Sequence, residues 1–225
     1  MIPLRTIETG GFTMSAFDYK KEYKSLYYPG QTPAVVTVPP ARFVAVEGKG
    51  NPNEPDGAYS RALAVLYSIS YTIKMSYKGS HAIEGFFEYV VPPLEGFWWM
   101  GDGRPGVDYS DKSGFQWVSV IRLPEFVSPQ AFAWAREEAA RKKKIDTACA
   151  QLLEIDEGLC VQCMHIGPYD DEPATVAKME QYLQENGYQQ DFSDTRRHHE
   201  IYLGDPRKTA PEKLKTVIRH PVAKM

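Results

Sequence analysis

The chain has 225 residues, of which 43% are hydrophobic and 24% charged, with 26 Lys and Arg against 29 Asp and Glu. This is the composition of a soluble globular protein that is long enough to bury a core. The formal net charge of −3 argues against nucleic acid as a direct partner, because phosphate binding requires a basic surface. No apolar run reaches the roughly 18 residues of a membrane span.

The first residues predict neither a targeting signal nor regular structure. Residues 1–16 are interpreted as a loose leader, with Met14 as an alternative to Met1 as the start. They contain no apolar segment of the kind that a signal peptide requires. Three cysteines are too few for a disulfide framework and suit a reducing compartment, so we expect a cytoplasmic protein with no membrane partner.

The elements of a first unit follow in order, after a proline-rich stretch that predicts irregular structure up to about residue 40. β-Branched and aromatic runs predict strands at 42–47, 86–91 and 115–122, with extended chain at 97–100. Apolar residues at helical spacing predict a helix over about 58–75. Ser128 and Pro129 suit the start of a second helix that runs to about Lys144.

The second half of the chain repeats the order of strand, helix, strand, strand. Strands are predicted at 159–166, 198–203 and 213–220, and a helix at 171–186. We therefore expect one domain over 17–225, built from pseudo-repeats at about 40–122 and 158–221. The predicted fold class is α+β, in which duplicated β-α-β-β units form a curved antiparallel sheet with helices on one face. The other face would then carry a ligand cleft.

Glu200 is the strongest candidate for a functional side chain. Alternation along its strand places His198, Glu200 and Tyr202 on one face, and Ile201 on the face predicted to pack against helices. In an aromatic cleft, a carboxylate could act as a general base through a raised pKa, or stay ionised and attract cations. Tyr202 could orient a water or donate a hydrogen bond to it.

Further candidates for lining the cleft come from the same alternation. Trp98 and Trp99 are adjacent, so one would line the cleft and the other would pack elsewhere, and the sequence does not say which. The repeat places Glu88 opposite Glu200, although the apolar neighbours Phe86 and Val90 leave the face on which Glu88 lies ambiguous. Trp117 and Ser119 share one face of the strand 115–122 and are weaker lining candidates.

Two motifs suggest cofactors or metals only superficially. Cys160 and Cys163 have the spacing of a zinc pair, but they lie within a strand, where their thiols point to opposite faces. Gly101–Gly106 matches GxGxxG, but no helix opens after it to hold a pyrophosphate. We therefore predict neither a metal nor a cofactor.

Several long segments in the same order resemble the GyrI-like small-molecule-binding family, in its stand-alone branch. The segments are FDYKKEYKSLYYP, FVAVEGKGNPN, ALAVLYSISYTIKM, PLEGFWW and HEIYLGDPRKTAPEKLKTVIRHPV. The resemblance implies a binder of apolar, often cationic, small molecules, with Glu200 as the ligand-recognising glutamate and PLEGFWW in the pocket. It also implies hydrolysis of cyclopropane-containing DNA-alkylating genotoxins, since some stand-alone members resemble such hydrolases.

Two alternatives to a hydrolase remain open. The first is a non-catalytic module that binds or sequesters drugs, and the second is a modulator of a DNA-processing enzyme. A fused sensor is disfavoured, because the N-terminal residues contain no helix-turn-helix pattern that could supply an output domain.

Overall fold

The computed structural model describes residues 15–79, 81–104 and 106–225, and its framework is one curved antiparallel sheet. The strands pair in the order β1-β6-β9-β8-β3-β4-β2-β5, and β7 pairs with β9 beside this path. The strands are β1 Ala34–Val38, β2 Ala41–Lys49, β3 Leu94–Met100, β4 Phe115–Arg122, β5 Gln151–Ile155, β6 Gly158–Ile166, β7 Tyr188–Gln190, β8 His198–Tyr202 and β9 Lys215–Lys224.

Three longer helices pack on the sheet or on each other, and two single-turn helices precede β1. The helices are α1 Tyr19–Glu22, α2 Lys24–Tyr27, α3 Ala58–Lys74, α4 Pro129–Lys143 and α5 Glu172–Asn186. The Ser128 side chain caps α4 by accepting from the Ala131 amide, as its sequence predicts. Gly187 ends α5 in the left-handed region (φ 73°), which glycine adopts without a steric penalty.

The predicted duplication is confirmed as β2-α3-β3-β4 and β6-α5-β8-β9. The two units meet at the antiparallel pair of β3 and β8 in the middle of the sheet. The fold class is therefore α+β, as predicted. Among the described residues, no helix is long and apolar enough to cross a membrane.

The strand predicted at 86–91 is wrong. The described backbone has only an isolated bridge there, between Tyr89 and Phe17, and the strand of this unit is β3, which begins after Pro93. The aromatic residues that suggested a strand pack on one another instead. The ring centroids of Phe87 and Tyr89 lie 5.2 and 6.0 Å from that of Phe126.

The proline-rich stretch predicted as irregular up to about residue 40 contains β1, and α1, α2, β5 and β7 were also not predicted. These are short elements whose partners are distant in sequence. β1, for example, pairs with β6 more than 100 residues away. Such long-range pairing stabilises segments that have little periodicity of their own.

The face that carries Glu200 is the one that the long helices cover, which differs from the prediction. Antiparallel partners share a face, and Glu200 pairs with Ile218, which packs with Met179 and Leu183 of α5. The opposite face of β8 carries Ile201, which packs with Tyr19 and other residues of the segment before β1. The segment before β1 therefore covers the face of Ile201, and Glu200 lies on the face of α5.

Candidate functional site

A glycine at the centre of the sheet makes room for the site. Gly96 of β3 stands directly opposite Glu200 of β8. A Cβ at position 96 would lie 2.6 Å from Nε1 of Trp98 and 3.2 Å from the Tyr202 hydroxyl. The missing side chain therefore lets the Trp98 indole and the Tyr202 ring meet above the strand pair.

Glu200 is buried at 6% exposure, and three side chains from β3 and β8 fix its position. The Tyr202 hydroxyl donates to Oε2 of Glu200 (2.7 Å), and Nε2 of His198 lies 2.8 Å from Oε1. Nε1 of Trp98 donates to the Tyr202 hydroxyl (2.9 Å). The spacing of two residues on one strand face, seen in the sequence, thus produces a connected chain from indole to hydroxyl to carboxylate.

Two residues that the sequence analysis missed complete the cluster. Tyr109, in the connection between β3 and β4, donates to Oε2 of Glu172 at the start of α5 (2.8 Å). The same hydroxyl lies 3.4 Å from Oε1 of Glu200 and 3.4 Å from Nε2 of His198. The side chains of Tyr109, Glu172, His198, Glu200 and Tyr202 are named the Glu200 cluster below.

The sequence around Glu172 and around Tyr109 does not distinguish a functional side chain from a structural one. Glu172 is an acidic residue in the first turn of a helix, where the helix dipole favours acids anyway. Tyr109 lies in a polar loop whose Arg104 pairs with Asp102, Asp108 and Asp111.

The two carboxyl groups of the cluster differ in their preferred charge. Burial acts to raise the pKa of Glu200, but hydrogen bonds with His198 and Tyr202 outweigh burial and hold that pKa below its usual range. Burial and the nearby charge of Glu200 raise the pKa of Glu172 well above its usual range. Adjacent carboxylates in a low dielectric cannot easily both be ionised, so the charge rests on Glu200.

Aromatic rings from α3 and from the turn before α5 lie beside the cluster. The Tyr59 ring lies 5.4 Å from Trp98 and 5.1 Å from Trp117, and the Tyr169 ring lies 5.6 Å from Tyr202. Tyr59, Tyr109, Tyr169 and Tyr202 are half-buried, so these rings form the cover between Glu200 and solvent.

The remaining predicted site residues are not part of the Glu200 cluster, and their surroundings differ. Trp117 is buried beside Tyr59, and Ser119 is a fully buried residue of the same strand face. Trp99 points to the other face, where the Arg197 guanidinium stacks on its ring at 4.5 Å. Glu88 is exposed and lies outside the sheet. The residue that pairs with Glu200 is Gly96, so the predicted placement of Glu88 opposite Glu200 is wrong.

The two cysteines discussed for metal binding lie on different faces of β6, as their spacing predicts. Cys160 belongs to the apolar cluster with Tyr19, whereas Cys163 packs with Met179 of α5. Both are buried free thiols.

This geometry is that of a small-molecule-binding fold: two β-α-β-β units, with a buried acid under aromatic rings where they meet. The sequence model of the family described as GyrI-like small molecule binding domain matches residues 31–223. The chain therefore belongs to this family. No curated protein matches the chain.

Three solved structures that are similar to the chain come from Listeria innocua. An uncharacterized conserved protein is 45% identical with a TM-score of 0.86, and the match covers 92% of this chain and 100% of that one. A hydrolase is 44% identical with a TM-score of 0.83 and the same coverage of both chains. Another hydrolase, encoded by lin2189, is 43% identical with a TM-score of 0.85, covering 93% of this chain and 100% of that one.

Proposed function

We propose that the chain binds flat, apolar small molecules, including singly charged cations, between the rings of Tyr59, Trp98 and Tyr202, with Glu200 as the counter-charge. The observation that carries the proposal is the buried Glu200 carboxylate, held by Tyr202 and His198 beneath an aromatic cover. A buried carboxylate is costly unless it is paired, and an organic cation would supply the missing positive charge.

The aromatic cover supports the same ligand class. Indole and phenol faces carry negative potential, so they attract a cation as well as stacking on a planar ring. The apolar body of such a ligand would replace the contact between Tyr59 and Trp98, and its charge would approach Glu200.

Entry of a ligand requires part of the cover to move, since Glu200 is nearly inaccessible in the closed arrangement. We expect Tyr109 to be the side chain that moves, because it lies in a loop rather than on a strand or helix. Its hydrogen bond to Glu172 would open as the loop swings away.

The test compares the affinities of the protein for N-methylacridinium and for acridine, measured by quenching of tryptophan fluorescence. At pH 8 N-methylacridinium is a cation and acridine is neutral. We expect the wild type to prefer the cation. Glu200→Gln should weaken binding of the cation at least about tenfold, while binding of acridine changes little. Glu47→Gln, an exposed glutamate on β2, serves as the control and should leave both affinities unchanged. Equal loss of both ligands in Glu200→Gln would contradict a counter-charge role.

A second candidate function is hydrolysis of cyclopropane-containing DNA-alkylating genotoxins. It is favoured by the two relatives at 43% and 44% identity that are named hydrolases, whose whole lengths match this chain. Glu200 would take a proton from water as the water oxygen bonds to a cyclopropane carbon. The breaking C–C bond would pass its electron pair to a conjugated acceptor group, and a proton from the Glu172 carboxyl would complete the addition of one water. Tyr202 would hold Glu200 in position for the attack.

Mass spectrometry of a cyclopropane-bearing alkylator incubated with the protein tests hydrolysis. Catalytic gain of one water by the wild type, lost in Glu200→Gln and kept in Glu47→Gln, is the expected result. Binding of the alkylator without turnover would exclude hydrolysis of that compound and leave the binding function intact.

A further inference from the structure

We infer that Glu172, His198 and Glu200 form a binding site for a divalent transition-metal ion. Among the described residues, these three buried side chains offer one ligand atom each, and those atoms all lie within 4.8 Å of one another. They come from the start of α5 and from neighbouring positions on one face of β8, so the tertiary structure brings them together.

A second observation points to a cation at the same place. Oε1 of Glu172 has no hydrogen-bond partner, although the residue has no exposed surface. Buried polar atoms are nearly always paired, and leaving a buried carboxyl oxygen without a partner is costly. A divalent ion would replace the proton of Glu172, give its carboxyl group a partner and allow Glu172 and Glu200 to be ionised together.

The surroundings of His198 also suit a metal ligand. Its Nδ1 lies 2.7 Å from Nε2 of His220, which fixes the plane of the ring and directs Nε2 towards the two carboxylates. Metal-ligating histidines are typically held in this way by a partner on the second ring nitrogen. His220 is itself buried on the adjacent strand β9.

The ligand types narrow the choice of metal. One imidazole nitrogen with two carboxylates suits borderline ions such as Zn²⁺ or Co²⁺ better than Ca²⁺ or Mg²⁺, which prefer oxygen ligands throughout. The Tyr109 hydroxyl, 2.8 Å from Oε2 of Glu172, caps the site on the side of the loop.

The experiment titrates the chelator-treated full chain with Zn²⁺ by calorimetry and with Co²⁺ by visible absorption. We expect one ion per chain and a Co²⁺ absorption band. Glu172→Gln should weaken binding at least about tenfold and abolish the band. This variant keeps the shape of the side chain, and circular dichroism checks that it folds. Glu185→Gln, an exposed glutamate near the end of α5, is the matched control and should bind as the wild type does.

Two outcomes would overturn the inference: no binding by the wild type, or binding that Glu172→Gln leaves unchanged. The second outcome would place the ion at an exposed group such as Cys149. The titration with N-methylacridinium is run on metal-free protein. A failure to bind the organic cation and a failure to bind the metal ion are therefore measured in separate experiments.

Discussion

At the scale of single residues, Tyr202 connects the aromatic and acidic parts of the Glu200 cluster. Its hydroxyl accepts from Trp98 and donates to Glu200, so one atom links the indole to the carboxylate. The phenol also stays protonated, because burial and the charge of Glu200 raise the pKa of Tyr202 well above its usual range. Tyr202 therefore acts as a hydrogen-bond donor to Glu200.

Tyr202→Phe removes this donor and leaves Nε1 of Trp98 and Oε2 of Glu200 short of a partner. We expect the free energy of unfolding in urea to fall by about 1–3 kcal/mol. Tyr71→Phe, at a tyrosine 51% exposed on α3, is the control and should change it by much less. Equal effects of the two variants would show that the hydroxyl of Tyr202 contributes nothing specific.

At the scale of secondary-structure elements, the site depends on how β3 and β8 pair. The register sets Gly96 against Glu200 and Trp98 against His198, and Tyr202 reaches the same stretch of β3 through its hydrogen bond with Trp98. A shift of one residue would send each of these side chains to the other face. Close packing at Gly96 helps to exclude such a shift.

Gly96→Ala tests this packing, because the new Cβ would clash with Trp98 and crowd Tyr202. We expect a loss of about 1–3 kcal/mol in the free energy of unfolding, together with weaker binding of N-methylacridinium. The matched control is Gly30→Ala, whose Cβ would meet its nearest neighbour at 3.8 Å, an ordinary contact. If both substitutions were equally tolerated, Gly96 would not define the shape of the site.

At the scale of the whole molecule, a second buried polar network joins the two units on the other face of the sheet. His199 lies between Glu157 (Nδ1 to Oε2, 2.8 Å) and Glu95 (Nε2 to Oε2, 3.0 Å). Arg219 of β9 donates to Oε1 of Glu157 (2.6 Å) and to the carbonyl of Leu26 in α2 (3.0 Å). The network therefore ties β3, β8 and β9 to the segment that covers this face.

The network predicts loss of stability in acid. Burial acts to raise the pKa of Glu157, but Arg219 and His199 outweigh it and lower the pKa to about 2. A lowered carboxyl pKa contributes stability above the unfolded value near 4.5, and this contribution disappears as the pH falls from about 4.5 towards 2. It amounts to no more than about 3 kcal/mol.

Urea unfolding between pH 3 and pH 7 measures this effect in the wild type and in Glu157→Gln. We expect the acid-induced loss to be smaller in the variant, which is less stable at pH 7 because buried Arg219 loses the carboxylate that pairs with its charge. Glu154→Gln, whose carboxylate on β5 is exposed, should keep the acid profile of the wild type. Identical profiles for Glu157→Gln and the wild type would contradict the assignment.

Most of the long elements follow from local chemistry. The helical spacing of apolar residues in α3, the cap of α4 and the Gly187 end of α5 are local features, and the structure confirms them. The exception is 86–91, where strand-forming residues pack as a loop because no neighbouring strand pairs with them there. A high β-propensity means that a residue fits a pleated surface. It does not provide the neighbouring strand with which the segment must pair.

The sequence by itself determined which side chains share a face: alternation separates Trp98 from Trp99, Cys160 from Cys163 and His198 from His199. Only the tertiary structure decided which face the helices cover, and that Glu172 and Tyr109 join Glu200 there. The physical reason is that alternation is a property of one strand. The cover of each face depends instead on connections and contacts between residues that are far apart in the chain.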